Sequence, residues 1–489
     1  MNKNKYVCLL VLLGSVLMGQ GCITSALDNV TPIKQQTARN ILFISIDDLR
    51  PELKSFGATH IHSPNIDELA AESRIFLNHF VNSPSCGSSR YSLLTGQYGP
   101  NGNNALKSRA KALKIGNNQI APSMPAWFKS NGYTTISVGK VSHYPGGQMG
   151  DDWNDESQLE MPNSWTKTIM PVGAWQTPKG MMHGLAHGEI RVKSSDMDVY
   201  QAEEGDDNIY PDGLITDSAI DQIQQLTKSP EKPFFLAVGI IRPHLPFGAP
   251  KKYLDLYEGV EFPVNPFPNK PIGLSTWHGS GEFKRYNLWG KDPLKDEAFA
   301  DLVRRHYAAS VSYADAQVGK ILQALKASGA DKNTIIVLWG DHGWNLGEHA
   351  IWGKHNLYEE ALRAPLLISY PDIPNPGVST KAVVETVDIF PTLAKLSNLP
   401  LAYSTHGQSL LKQVNDADQQ GHAAYAYWGR NRTLRMNNFR LTLFNNKEVA
   451  LYDLNSKEKE TKNVAAQHPD VVAEMLAMLK NKMELNDKF

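Results

Sequence analysis

Disulfide chemistry is almost absent from this chain, which has three cysteines in 489 residues. Cys8 and Cys22 lie at the extreme N-terminus, so Cys86 stands alone in the body of the protein without an internal partner. A disulfide scaffold is therefore excluded. An excess of either charge is missing too, with Lys+Arg 49 against Asp+Glu 50. That balance gives no whole-molecule field to attract nucleic acid or an anionic membrane surface, so neither is an expected partner. An anionic substrate would have to be held by local cations inside a pocket. The chain also lacks internal repeats, low-complexity tracts and any apolar run long enough to span a bilayer.

What remains is the composition of a globular protein, 41% apolar and 20% charged, long enough for one large domain and a smaller one. Lys3 and Lys5 precede the apolar stretch Val7–Met18, which has the length of a secretory h-region. It ends at Gly19-Gln20-Gly21-Cys22. Residues 1–22 therefore read as an export leader and 23–37 as a polar tether. Cys22 is either the acylated residue of a bacterial lipoprotein or part of a plain secretion signal. The expected location is outside the cytoplasm, periplasmic, outer-membrane-anchored or secreted. Membrane contact is expected only through the N-terminal lipid.

Asn40–Ile46 is a continuous apolar, β-branched run that reads as a buried strand ending at Asp47-Asp48. Further strands are expected at 134–138, 234–241, 333–339 and 366–370. Helices are expected over 65–76, from Ser88, over 302–327 and over 387–396. This alternation implies a large mixed, mostly parallel sheet sandwiched by helices. After Pro400, short runs such as 433–435, 440–444 and 449–452, with a turn at Asn445-Asn446 and a last helix from Pro469, imply a smaller α+β subdomain with a short antiparallel sheet. The stretches 144–211 and 262–293 carry Trp153, Trp165, Trp175, Trp277 and Trp289 on long irregular loops. These tryptophans pack the loops or stack on sugar rings.

The strands end at Asp47-Asp48, Lys140, His244 and Asp341-His342. In open α/β sheets the site lies beyond the carboxyl ends of the strands. One Asp after a strand is ordinarily a turn residue, but four strand ends carrying ionisable groups point to a site.

Cys86-Gly87-Ser88-Ser89-Arg90, continuing to Leu93-Leu94-Thr95-Gly96, resembles the maturation motif of the formylglycine-dependent sulfatases, with Ser88 where that family has Pro or Ala. Asp47-Asp48-Leu49-Arg50-Pro51, Gly139-Lys140-Val141-Ser142-His143, Arg242-Pro243-His244-Leu245-Pro246, Gly340-Asp341-His342-Gly343 and Trp352-Gly353-Lys354-His355 are similar to the iduronate-2-sulfatase-like branch. The resemblance implies an alkaline phosphatase-like fold, with the catalytic domain over 38–400 and the subdomain over 401–489. It implies a calcium ion held by Asp47, Asp48, Asp341 and His342 together with residue 86, oxygen-rich ligation that suits a hard cation. It implies a catalytic formylglycine (3-oxoalanine) derived from Cys86, made by a formylglycine-generating or an anaerobic sulfatase-maturing enzyme.

Under the same resemblance His143 takes a proton from the nucleophile, Arg90 balances the metal-side charge, and Lys140 and Lys354 clamp the sulfate oxygens. His244 protonates the leaving oxygen and His355 lies in the substrate pocket. The expected substrate is a sulfated carbohydrate, algal or glycosaminoglycan. Two competing readings are a phosphomonoesterase or phosphodiesterase of the same superfamily and a non-catalytic surface protein that binds sulfated glycans. The first would want a Ser or Thr nucleophile and two metals, which Cys86 argues against.

Overall fold

A computed structural model of the chain describes residues 38–116, 120–144, 160–190, 193–401 and 403–486. The expected leader with Cys22, the tether and Trp153 lie outside these residues. In chain order the strands are β1 (Asn40–Ile46), β2 (Arg74–Phe80), β3 (Thr134–Gly139), β4 (Lys167–Ile169), β5 (Tyr200–Glu203), β6 (Phe234–Ile240), β7 (Phe247–Pro250) and β8 (Thr334–Gly340). They continue with β9 (Asn345–Leu346), β10 (Trp352–Gly353), β11 (Leu366–Ser369), β12 (Ser379–Glu385), β13 (Ala424–Trp428), β14 (Asn431–Met436), β15 (Phe439–Phe444) and β16 (Glu448–Asp453).

Eight strands form one sheet in the order β12-β2-β11-β8-β1-β6-β3-β4. All its pairings are parallel except those of β11, which runs against β8 and β2. Every residue of β1 is buried, as a strand covered on both faces requires. Leu42, Ile44 and Ile46 face one core with Ile66 and Leu69, Ile215 and Ile223, and Val303, Val311 and Val318 from three helices. Ile41 and Phe43 face the other core with Leu93, Phe128 and Phe390.

The register sets the functional edge. Ile46 stands opposite Ile240 and Gly340, and Gly139 opposite Gly239. The residues after β1, β3, β6 and β8 therefore leave the sheet side by side. Gly239 is required by this crowding, because a Cβ there would lie 2.0 Å from the Lys140 carbonyl carbon.

The expected helix over 65–76 needs correction. It spans Pro64–Ala71, and Ile75 and Phe76 belong to β2, paired with β11 and β12. A strand start read as the helix's last turn because Ile75 falls on the helical spacing. The helix expected from Ser88 begins at Cys86, and the long helix begins at Glu297, with the Asp296 side chain accepting from Phe299 N. Trp175 is a core residue whose Nε1 donates to Leu185 O, while Trp289 is 45% exposed.

Near the C-terminus β13–β16 form an antiparallel meander. Asn445 and Asn446 adopt positive φ in the three-residue loop between Phe444 and Glu448 of the β15–β16 hairpin, a conformation asparagine tolerates better than most residues. The Pro469–Asn486 helix buries Met475 and Leu479 in a core shared with Tyr98 and Val387. Lys482 on that helix donates to Glu385 Oε2 and Tyr98 Oη, both at 2.8 Å, and His422 Nε2 meets Asp388 Oδ2 at 2.7 Å.

Burial opposes a charge on His422, yet Asp388 and Glu385 push its pKa up to about 9. The unfolded value is ~6.5, so this pair contributes its full stability below that pH and loses it as the pH rises through the folded value. The contribution is on the order of 3 kcal/mol. Urea unfolding across this range is expected to show stability falling with pH in the native chain, and a shallower fall in His422→Gln.

Candidate active site

The helix that follows β2 starts at Cys86. Its first turn is fitted against the loop at 100–103. Asn103 Oδ1 accepts from Ser85 Oγ at 2.8 Å and from Gly87 N at 3.2 Å, and a Cβ at Gly87 would lie 2.3 Å from Asn103 Cα. Ser88 Oγ donates its one proton to Pro100 O at 2.8 Å, with Gly102 O alongside at 3.1 Å. The hydroxyl at the position that departs from the family pattern is thus buried and satisfied. Arg90 lies one turn beyond Cys86, on the same helix face.

Arg90 is the brace of the site. Its Nη2 lies 2.9 Å from Asp341 Oδ2 and 3.3 Å from Asp47 Oδ1. Its Nη1 donates to Lys140 O at 2.6 Å and Val141 O at 3.1 Å. Lys140 Nζ pairs with Asp47 Oδ2. Asp48 has a φ of 57°, which turns the chain so that its N–H donates to Asp341 Oδ1 at 2.9 Å. Lys354 Nζ donates to Asp48 Oδ1 at 2.8 Å and to Cys86 Sγ at 3.2 Å. His342 Nε2 lies 3.3 Å from Cys86 Sγ, and its Nδ1 lies 3.3 Å from Asp48 Oδ1. All of these side chains are buried.

Burial alone would raise Asp47, but Lys140, His244 and Arg90 hold its carboxyl well below the usual range. Burial pushes Asp48 well above it despite Lys354, and burial with the charge of Asp47 lifts Asp341 to about 7. Burial, aided by Lys140, drives His143 and His244 well below the ordinary imidazole value, and burial with Lys354 does the same to His342. Burial therefore favours the neutral form of all three rings. Burial pushes the Cys86 thiol well up, so a thiolate nucleophile is disfavoured here.

Single ligand atoms from Asp47, Asp48, Cys86 and His342 lie within 4.8 Å of one another. Asp47 Oδ1 and Asp48 Oδ2 are buried and accept no hydrogen bond. Two neighbouring carboxylates, each with a buried oxygen that accepts no hydrogen bond, fit a divalent cation, with His342 and the position of Cys86 completing the set. Asp341 sits directly behind this set through its bond to Asp48. Two other clusters, His349–Glu360–Glu460 and Glu385–Asp388–His422, are drawn together by Arg440 and Lys482 instead.

Direct contacts thus join Asp47, Asp48, Cys86, Arg90, Lys140, Asp341, His342 and Lys354. His143 and His244 share the field of Lys140 and Asp47. His355 stands apart at the rim, its ring stacked 4.7 Å from that of Trp428 and its Nδ1 3.8 Å from Glu282 Oε2. Several residues around the site carried no motif. Glu282 Oε1 lies 3.7 Å from Lys354 Nζ, His278 Nε2 meets Lys354 O, and the His183 ring is 5.7 Å from that of His244. Tyr286 Oη lies 3.4 Å from His183 Nδ1. They sit on the two long irregular stretches, whose length marked the segments without marking the residues.

A family model described as Sulfatase matches residues 39–399, and one described as N-sulphoglucosamine sulphohydrolase, C-terminal, matches residues 347–488. Iduronate 2-sulfatase of Mus musculus is 34% identical over 428 residues, covering 79% of this chain and 73% of that protein. A sulfatase of Formosa agariphila is 28% identical over 485 residues, covering 92% and 88%. Among solved structures, a protein in complex with its substrate D-glucosamine-2-N,6-O-disulfate aligns with a TM-score of 0.69 at 20% identity, covering 92% of this chain and 98% of that one. A phosphonate monoester hydrolase of Agrobacterium radiobacter aligns with a TM-score of 0.69 at 21% identity, covering 91% and 95%. These last two establish likeness of fold.

Removing the Arg90 charge while keeping its length leaves Asp47 and Asp341 buried with one fewer counter-ion. Arg90→Met is expected to lower stability by about 3–5 kcal/mol, read by chemical denaturation. A loss under 1 kcal/mol would show that the carboxylates are neutralised some other way.

Proposed function

The chain belongs to the sulfatase family and is a sulfuric ester hydrolase, and on that premise we propose that it removes sulfate from sulfated carbohydrates. Its reaction centre is residue 86, with a calcium ion beside it. The observation that carries this reading is the convergence on Cys86 Sγ of His342 and Lys354, each from a different motif, next to two carboxylates with unsatisfied oxygens. The named relatives support the substrate class, since they include iduronate 2-sulfatase and an ulvan-active sulfatase of Formosa agariphila.

Asp47, Asp48, Asp341 and His342 would hold the cation with residue 86. Oxidised to formylglycine, residue 86 supplies a hydrated aldehyde as the oxygen nucleophile, and the bound cation supplies Lewis acidity. The high thiol pKa supports this reading, because an unmodified Cys86 is a poor nucleophile where it stands.

The remaining work falls to the side chains. Arg90 pairs with Asp47 and Asp341 and fixes the Lys140 backbone. Lys140 and Lys354 present their ammonium groups to the sulfate oxygens, where negative charge builds as the ester bond breaks. His143, held neutral by burial, takes a proton on the nucleophile side. His244 Nδ1 donates to Leu245 O at 2.7 Å, so Nε2 is the nitrogen that takes up a proton once the anionic sulfate lies beside the ring, and passes it to the departing sugar oxygen.

Protein from a maturing host is expected to release sulfate from a sulfated oligosaccharide panel and to carry a Cys86 peptide roughly 18 Da lighter than the thiol form. Cys86→Ala is expected to lose turnover at least about 1,000-fold while keeping the wild-type melting temperature. Sulfate release by Cys86→Ala at a wild-type rate, or a wholly unmodified thiol in active protein, would refute residue 86 as the nucleophile.

A further inference from the structure

Residues 278–286 form a strap that touches both sides of the candidate site. His278 Nε2 meets Lys354 O, and Ser280 Oγ accepts from Trp352 N at 2.9 Å. The strap is turned tightly there, with Ser280 N donating to His278 Nδ1 at 3.1 Å and Lys284 N to Ser280 O at 2.9 Å. Glu282 follows, placing Oε1 3.7 Å from Lys354 Nζ. Glu282 Oε2 is buried and accepts no hydrogen bond. At its far end Tyr286 Oη reaches Leu245 O, beside His244, at 3.4 Å.

An ammonium group has three donors and no acceptor. Those of Lys354 are directed at Asp48 Oδ1 and Cys86 Sγ, with Glu282 next in reach. A divalent cation taken on the unsatisfied Asp48 Oδ2 would share one carboxylate with Lys354 on Oδ1, and the two cations would repel each other. Once Asp48 is committed, Glu282 is, among the described residues, the remaining carboxylate within ion-pair distance of Lys354.

We propose that Glu282 is a positioning residue: it draws the Lys354 ammonium off Asp48 when the cation binds and holds it toward the sulfate. This rests on the sulfatase reading and adds to it a role for a residue outside every motif. Glu282 touches neither the reacting atoms nor the metal ligands; it acts through Lys354. Without its charge, Lys354 falls back on Asp48 and competes with the cation. Two quantities then fall together, cation affinity and the rate of the chemical step.

The test is a double-mutant cycle on the full-length matured protein, with Glu282→Gln, Lys354→Met and the double variant. Calcium affinity is measured by calorimetry without substrate, and kcat and KM on an active sulfated oligosaccharide. Glu282→Gln is expected to weaken calcium binding about tenfold and to lower kcat about tenfold or more with little change in KM. Lys354→Met removes the competitor, so adding Glu282→Gln to it is expected to leave calcium affinity unchanged. Glu282→Asp, which keeps the charge, should recover part of both losses.

Wild-type calcium affinity in Glu282→Gln, or the same loss with and without Lys354, would overturn the proposal. Should Glu282→Gln prove unstable, Glu282→Asp and Lys354→Met still decide it, because Lys354→Met must bind calcium more tightly than wild type. Failure of wild type to bind calcium or release sulfate would instead refute the proposed function itself, a distinguishable outcome.

Discussion

Burying three carboxylates at one point is the constraint on which the rest of this structure depends. Asp47, Asp48 and Asp341 have almost no solvent exposure, and each taken alone would be costly to keep ionised. Arg90, Lys140 and Lys354 offset that cost by direct pairing, one cation arriving from each of three different segments. The sheet makes this possible. β1 and β8 run parallel in register, so Asp47 and Asp341 emerge side by side, and β3, two strands away, carries Lys140 to the same edge. The Gly139–Gly239 pairing lets the Lys140 backbone cross close above β6. Arg90 then ties the arrangement together, bonding two carboxylates and two backbone carbonyls.

The same constraint explains the placement of Cys86. A residue four positions before Arg90 lies on the same helix face, so bringing the guanidinium under Asp341 brings the thiol beside Lys354 and His342. Gly87 and Ser88 have a different task. They hold the helix start against the 100–103 loop, Gly87 by having no Cβ and Ser88 by one O–H shared between two carbonyls. Pro or Ala at position 88 has no hydroxyl to make these bonds, so here the fit of the helix to its loop uses chemistry the family pattern does not contain.

Much of this is legible in the sequence. A strand buried on both faces is a continuous apolar run, so β1, β6 and β8 stood out, and each ended on ionisable residues that a turn alone does not explain. β2 was not legible. Arg74 and His79 break its apolar pattern, and both side chains are buried only because tertiary partners satisfy them, Arg74 on three carbonyls and His79 on Ala364 O and Thr386 Oγ1. β12 was not legible either, since its first half, Ser379-Thr380-Lys381, is polar and only Ala382–Val384 form an apolar run. At the site, motif-borne residues were legible as types at set spacings. Glu282, Tyr286 and His183 were not, because a loop residue acquires its meaning from what the loop is pressed against.

That pressing also bears on how the chain divides. Lys354 and His355 follow β10, on a segment held from two directions. The 278–286 strap grips Trp352 and Lys354 from one side. From the other, Trp428 of β13 stacks on His355, and Arg435 and Arg440 of β14 and β15 pair with Glu359 just downstream. Glu460 closes the same contact by accepting from Glu359 N at 2.8 Å and pairing with Arg440 at 2.7 Å. The small antiparallel sheet is therefore part of what fixes the segment bearing Lys354. A boundary drawn near residue 400 separates two patterns of secondary structure, but the forces that aim Lys354 cross it. The smaller sheet earns its place by rigidity: a long flexible lysine is a weak clamp unless the backbone beneath it is held on both sides.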